Sequence, residues 1–370
     1  MLKDLNGQVT KLPFYARASL ILVGIFVFIT MLCLGKGIIV PLLLALMLSI
    51  LFSTVVDYLV KHKMDRVFAI ALTVVVAVSI GALLAIGIGS KMNLLIDAWP
   101  VLVEKFNQLQ AQAVSWLSEN FGVSTKKANF WINEVRSDLM NLSGERLGNT
   151  LAGVAKIGVI LVLVPVYIFL ILYYQPIIID FIHRAIGTSH EKEVSIVLSQ
   201  TRSVLKGYFA GLLIELVIVA ALNTIGFFIL GIQFALLIGL IGAILNLIPY
   251  IGGLIMLGLS MLLALLTKED PAFALYAAMM FFGIQLIDNN FLMPKIVASK
   301  VRINALVAIV VVIAGGAMWG IAGMFLAIPL TAILKVIFDR IEALEPWGFL
   351  LGDTMPPMVR IKLQRKKAKV

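Results

Sequence analysis

The chain alternates between long apolar runs and short polar breaks, and most runs have the length of a bilayer crossing. About 20 consecutive apolar residues span the hydrocarbon of a membrane as a helix. The first run is Ala18–Leu34 and the second Ile38–Val56, with a tight turn expected at Lys36–Gly37. A charged break containing Asp57, Lys61, His62, Lys63, Asp65 and Arg66 precedes the third run, Val67–Ser90. Residues 91–150 change character. Acidic and basic side chains are balanced there, and Leu102, Phe106, Leu109, Ala113 and Leu117 recur at helical spacing, which predicts amphipathic helices. Trp99, Trp116 and Trp131 suit a headgroup boundary, so the segment is expected to lie outside or along the membrane. The fourth run, Leu151–Tyr174, is expected to end at Gln175–Pro176. A polar amphipathic stretch, Ile177–Lys206, then leads into the fifth run, Gly207–Leu230.

Two later runs have a different shape. Phe234–Thr267 and Ile303–Ile337 are each too long for one crossing without severe tilt. The first is interrupted by Pro249, Tyr250, Ile251, Gly252 and Gly253; the second by Gly315, Gly316, Gly320 and Gly323, then Pro329. Between them, Ala272–Ile287 reads as a span that ends at Asp288-Asn289-Asn290. Basic residues in short loops mark the cytoplasmic side. Lys3, Lys11 and Arg17, the Lys61–Arg66 loop, the His183–Lys206 segment, the Lys295–Arg302 loop and the C-terminal tail all qualify. Both termini are then cytoplasmic, and Phe234–Thr267 must begin and end on one side and Ile303–Ile337 on the other. Arms of roughly 14–16 residues rise only roughly 21–24 Å, short of a full crossing. The expected class is therefore an all-α polytopic membrane protein with about six transmembrane helices and two oppositely oriented re-entrant helical hairpins, about eight membrane segments in total. The hairpin sequences echo each other faintly: Gly239-Leu240-Ile241-Gly242 precedes Ile248-Pro249, and Gly320-Ile321-Ala322-Gly323 precedes Ile328-Pro329. Paired interrupted segments point to a transporter's substrate site; glycines that merely let helices pack closely are the alternative.

Composition agrees. Apolar residues form 61% of the 370 and charged residues 14%, against roughly 45–50% and about 25% in soluble domains. The net charge of +10 comes from segments beside apolar runs and from the tail (Arg360, Lys362, Arg365, Lys366, Lys367, Lys369). That placement favours anionic lipid as a partner over nucleic acid. The single cysteine, Cys33, excludes a disulfide framework. No HExxH, Walker A or GxSxG motif is present, so no enzyme activity, metal or cofactor is expected, nor ATP-driven transport by this chain alone. The first run reads as a retained signal anchor. The organisation expected is membrane helices over 1–90, an extramembrane segment over 91–150, a fourth helix and cytoplasmic amphipathic segment over 151–206, a transport core over 207–340 and a basic tail over 341–370.

Three strings in order, Asn246-Leu247-Ile248-Pro249-Tyr250-Ile251-Gly252-Gly253, Asp288-Asn289-Asn290-Phe291-Leu292-Met293-Pro294-Lys295-Ile296-Val297, and Gly315-Gly316 with Gly320-Ile321-Ala322-Gly323-Met324-Phe325-Leu326-Ala327-Ile328-Pro329, resemble the bacterial autoinducer-2 exporter (permease-like) family. The motifs cover about Gly207 to Asp339, and the layout covers most of the chain. The resemblance implies an oligomeric inner-membrane transporter. For some members it implies export of the quorum-sensing signal autoinducer-2, and for others sodium–proton exchange. Ala298 stands where a glycine is expected in or near the second motif, which bears on loop geometry.

Within this frame a few polar residues stand out. Asp288 and Glu215 are carboxylates at or inside apolar runs, where charge is costly and must be paired or face water. Asp288 fits either a proton or cation site or a helix end paired with Lys295. Glu215 fits either proton coupling or a packed, hydrogen-bonded subunit contact. Asn246, just before the Pro249 break, is a candidate to bind solute, as are Asn289 and Asn290; Asn223 and Gln285 read as helix-packing amides. Pro249, Tyr250, Gly252, Gly253, Gly315 and Gly316 are expected to shape the hairpin tips. The functions these imply are a secondary transporter exporting a small hydrophilic solute such as autoinducer-2, a sodium or lithium/proton antiporter, and, in another class, a membrane scaffold that recruits partners through its amphipathic segments.

Overall fold

A computed structural model describes residues 13–97, 145–187, 191–249, 251–298 and 301–353, with isolated positions between 104 and 119. Most of the 91–150 segment, Tyr250 and the basic tail from 354 lie outside the described residues. Among the described residues the structure is helical, apart from one isolated bridge between Ile303 and Gly352.

Helices α1 (Phe14–Leu34) and α2 (Lys36–Lys61) meet at Gly35, just before the expected turn. Asp65 starts α3 (Arg66–Asp97): its carboxylate accepts from the backbone N–H groups of Val67 and Phe68 at 2.9 and 3.2 Å, supplying an acceptor to donors that have none within the helix. Large apolar side chains point outward from these helices and from later ones: Phe26 and Leu83 here, and Phe228 and Phe282 further along the chain, are all exposed. Exposed apolar area on this scale marks a surface that meets something other than water. Seven helical stretches among the described residues are long and apolar enough to cross a membrane. This is a polytopic, all-helical membrane protein.

Helix α4 (Glu145–Ile186) corrects one expectation: it does not stop at Gln175–Pro176 but continues through both Pro165 and Pro176. A proline lacks the N–H that its helix owes to the carbonyl four residues earlier. For Pro176 that carbonyl belongs to Leu172, and the guanidinium of Arg66 donates to it at 3.1 Å, and to Gln175 Oε1 at 3.4 Å. A side chain from α3 thus fills the gap in α4, as membrane helices with interior prolines require. The polar Ile177–Lys206 stretch is accordingly no separate unit. Its first part belongs to α4 and its last part to α5 (Glu191–Ile229), which runs unbroken from charged residues into the apolar span.

The rest of the chain is arranged around α5. Helices α6 (Ala235–Asn246) and α7 (Ile251–Thr267) form the first hairpin, with Pro249 in its turn. They are antiparallel: a side chain at Gly242 would meet Met256, and one at Gly252 would strike the carbonyl of Leu245. The base of this hairpin is closed, because a Cβ on Gly231 would lie 2.8 Å from the ammonium of Lys268. Helix α8 (Ala272–Ile287) then passes without a break into a π-helix, Asp288–Ala298. The expected end at Asp288-Asn289-Asn290 does not occur, and the wider winding keeps Asp288 within the bundle.

Helices α9 (Ala305–Trp319) and α10 (Ile321–Phe338) form the second hairpin. Its turn is at Gly320, whose φ of +64° and ψ of −144° lie where only glycine is comfortable. Gly315 and Gly316 are therefore not at the tip. They lie inside α9, where Gly315 packs backbone to backbone on Gly323 and Gly316 faces Met324. The two GxxG strings are consequently not equivalent. The first lies in the first arm of its hairpin, the second begins at the turn, and Pro329 sits inside α10 whereas Pro249 is in a turn.

The two hairpins enter from opposite ends of α5. The first has its base beside Gly231, just past the C-terminus of α5. At the second, Val301, Ile303, Lys335 and Asp339 share a small cavity with Val204, and Arg340 donates to Gln200 at 3.3 Å. Val204 to Ile229 is roughly 38 Å along a helix. The turn ends of both, Leu247 and Trp319, border the same apolar cluster of Val40, Met47, Leu205, Tyr208, Leu212 and Leu326. Trp319 also donates from its indole to the carbonyl of Leu32 at 3.0 Å, in the last turn of α1. Helix α11 (Glu345–Leu351) folds back from the start of the tail. Asn304 caps α9 through Val307 N–H and donates to the carbonyls of Leu350 and Gly352.

Candidate functional site: a carboxylate pair bridged by one amide

Glu215, Asn246 and Asp288 converge from three separate elements: α5, the last turn of α6 and the first turn of the π-helix. The amide nitrogen of Asn246 donates to Glu215 Oε1 at 3.2 Å and to Asp288 Oδ2 at 2.9 Å. Glu215 is 4% exposed and Asp288 3%. The other oxygen of each carboxylate, Glu215 Oε2 and Asp288 Oδ1, is buried and has no hydrogen-bond partner among the described residues. Unmet buried acceptors are uncommon, and each calls for an explanation.

Local sequence explains how the amide gets there. Gly239 brings α6 against α5 so closely that a Cβ would collide with Thr224 and with the carbonyl of Ala220. That contact fixes the direction in which α6 rises. Gly252 lets α7 start directly beneath the last carbonyls of α6, since any side chain there would meet Leu245. Asn246 is therefore held at the hairpin turn, facing α5. Asp288 arrives on the opposite side because α8 changes from α to π winding at that residue; such irregular turns recur at functional positions in helices.

Asn289 and Asn290 follow Asp288 but do not join it. Asn290 donates to the Leu286 carbonyl at 2.8 Å, Asn289 accepts from Gln285 at 3.4 Å, and both are exposed. Pro249 is in the turn and Gly253 lies beside Gln285. Lys295 sits over the ring of Phe291, 5.8 Å from its centroid. Tyr208, which no sequence pattern singles out, is buried on α5 in the cluster on which both hairpin turns border. Asn223 is almost fully buried, donates to Val219 within its own helix at 3.0 Å, and leaves its carbonyl oxygen without a partner among the described residues. Among the described residues no group of His, Cys, Asp and Glu is arranged to hold a metal ion.

Opposed helical hairpins around a buried polar cluster, in a chain of lipid-length apolar helices, define a membrane transporter. The sequence model of the family described as "AI-2E family transporter" matches residues 20–343, and the chain belongs to that family. It is 26% identical to YueF of Bacillus subtilis (strain 168) over 313 residues, covering 82% of this chain and 84% of that protein. Against YhhT of Escherichia coli (strain K12) it is 24% identical over 339 residues, 87% of this chain and 90% of the relative. With YrrI of Bacillus subtilis it shares 32% over 149 residues, 40% of this chain and 42% of the relative. All three relatives carry the provisional name of transport protein.

Proposed function

We propose that this protein is a secondary transporter of the bacterial inner membrane, with both termini cytoplasmic, that exports a small hydrophilic solute such as autoinducer-2. Movement is coupled to a proton or monovalent cation held between Glu215 and Asp288. The observation that carries this is the shared amide: one donor group serves two buried carboxylates and leaves two oxygens without partners among the described residues. A buried unpaired acceptor costs about 1–3 kcal/mol. A proton or small cation supplies the missing partner to both at once. Carboxylates inside a membrane commonly mark such relays.

The two hairpins are re-entrant in this scheme. Three of the four arms, of 12, 17 and 15 residues, rise about 18, 25 and 22 Å, less than the hydrocarbon thickness of roughly 30 Å, and the fourth, α10, of 18 residues, rises about 27 Å. The turn of the first hairpin carries Asn246, whose amide donates to both carboxylates. Occupancy of the Glu215–Asp288 pair then controls which side of the first hairpin opens to solute. The assembly is a homo-oligomer, as the family resemblance implies.

The direct test is uptake of labelled autoinducer-2 into everted vesicles, with and without an imposed pH gradient. Wild-type protein should accumulate the signal only with the gradient, and Asp288→Asn should abolish the difference. Equal accumulation by both proteins would remove Asp288 from the mechanism. A second reading, a sodium or lithium/proton antiporter, is supported by the ligand set at the pair, which is made of carboxylate and amide groups. It predicts sodium-dependent dequenching of a pH probe in the same vesicles without any solute. No response between pH 6 and 9 would dismiss it.

A further inference from the structure

A second polar site lies away from the carboxylate pair, where α2 and α5 both leave the apolar layer. The cleft there has a volume of about 510 Å³, in the range of small-molecule sites. Thr54, Asp57, Tyr58 and Lys61 of α2 form one wall, and Ser199, Arg202, Ser203 and Lys206 of α5 the other. Three cations face one carboxylate. That carboxylate is already engaged: Arg202 donates to Asp57 at 2.6 Å and to the hydroxyl of Ser53 at 2.9 Å. The ammonium groups of Lys61 and Lys206 take part in no ion pair among the described residues. The hydroxyl of Thr54, on the same wall, is buried without a hydrogen-bond partner among the described residues.

We infer that this cleft binds a phosphate-bearing anion, either the headgroup of an anionic phospholipid or a free phosphate ester. Two ammonium groups, one guanidinium edge and several hydroxyls suit a tetrahedral, multiply accepting anion. Asp57 positions Arg202 and leaves the net field positive. The level of the cleft suits a lipid headgroup. On α5 the charged stretch ends at Lys206 and the apolar run, with Glu215 inside it, starts at Gly207; on α2 the apolar run ends at Val56 and charge starts at Asp57. Tyr58, 61% exposed, is the aromatic residue expected at such a boundary. An acyl chain could continue along the exposed apolar faces of both helices while its phosphate stays in the cleft. The same cations would hold α2 and α5 together through the ligand. The inference is independent of the transport reading, because none of these residues belongs to the carboxylate pair.

The test uses the purified full-length protein, delipidated in a neutral detergent. Thermal midpoints and native mass spectra are recorded against phosphatidylglycerol, phosphatidylcholine, glycerol phosphate and inorganic phosphate. The expected result is a saturable rise in midpoint with phosphatidylglycerol and a retained lipid adduct. Lys61→Gln with Lys206→Gln should weaken half-saturation at least about tenfold. Lys36→Gln with Lys192→Gln removes the same charge outside the cleft and should behave as wild type. A response to phosphatidylglycerol but not to glycerol phosphate identifies lipid as the source; an equal response to glycerol phosphate identifies the free ester. No saturable response to any anion overturns the proposal, as does equal binding by the Lys61/Lys206 variant when its unliganded midpoint matches wild type.

Discussion

Asn246 donates to Asp288 at 2.9 Å across the gap between the first hairpin and the π-helix, although the two lie 42 positions apart. The same nitrogen reaches Glu215 at 3.2 Å. Three elements that share no local sequence are tied by one side chain at the point where the backbone of α6 ends.

Replacing Asn246 should be more harmful than its size suggests. Asn246→Leu removes the donor from two buried carboxylates, each costing about 1–3 kcal/mol when left unmet. The expected outcome is a lowered thermal midpoint and no transport. Asp288→Asn should restore part of the midpoint in that background, because it removes one of the two orphaned charges, while transport stays lost. Differential scanning of the single and double variants measures both.

The carboxylates should act as one unit. Glu215→Gln and Asp288→Asn, each alone, are expected to cut coupled uptake by about tenfold or more, and groups that act as a unit lose function non-additively. The double variant should be no worse than the poorer single one. Additive losses in vesicle uptake would separate the two residues.

The contact between Arg66 and Leu172 predicts a specific coupling. Arg66→Ala leaves a buried carbonyl unpaired and should destabilise the protein by about 1–3 kcal/mol. In a Pro176→Ala background the restored N–H can serve Leu172 instead, so the same substitution should cost much less. A double-mutant cycle on thermal midpoints reads the difference.

Three glycines set the hairpin geometry for different reasons. Gly252→Ala and Gly323→Ala push a methyl group into facing backbone, so each should cost about 1–3 kcal/mol through overpacking. Gly320→Ala meets open space, yet should cost about 1–3 kcal/mol through its backbone angles alone. Gly258→Ala, with nothing near its added Cβ, is the control expected to be neutral or slightly stabilising, as it sits inside α7.

Opposed hairpin bases predict a labelling pattern. In a Cys33→Ala background, single cysteines at Leu230 and Glu269 should react with an impermeant maleimide from one side of the membrane, and a cysteine at Arg340 from the other. Labels at 230 and 269 on different sides would be incompatible with the closed base beside Gly231 and Lys268.

Much of the fold was legible because a bilayer imposes a strong length rule. Apolar runs of lipid-crossing length, the two interrupted ones included, appear as helices near their expected places. The polar residues inside apolar runs were few enough that Glu215, Asn246 and Asp288 stood out by cost alone. Helix ends were less legible. Pro176 reads as a stop in one dimension, yet the helix continues, with the Leu172 carbonyl served by Arg66 from a distant part of the chain. Asp288 reads as the end of a helix because the sequence does not announce a change from α to π winding. Gly315 and Gly316 read as a turn because they are adjacent glycines, whereas the turn fell at Gly320, and inside α9 Gly315 lies against Gly323 and Gly316 against Met324.

The sequence by itself determined the solvent of this protein, the count and length of its long apolar segments, and which polar groups would be expensive to bury. Those properties follow from each residue's own transfer energy and need no partner. Tertiary structure alone decided that one amide serves two carboxylates, that the turn ends of both hairpins border one apolar cluster, and that the polar ends of α2 and α5 form a basic cleft. Each of these depends on distances between residues far apart in the chain, and such distances are set by packing, not by local composition.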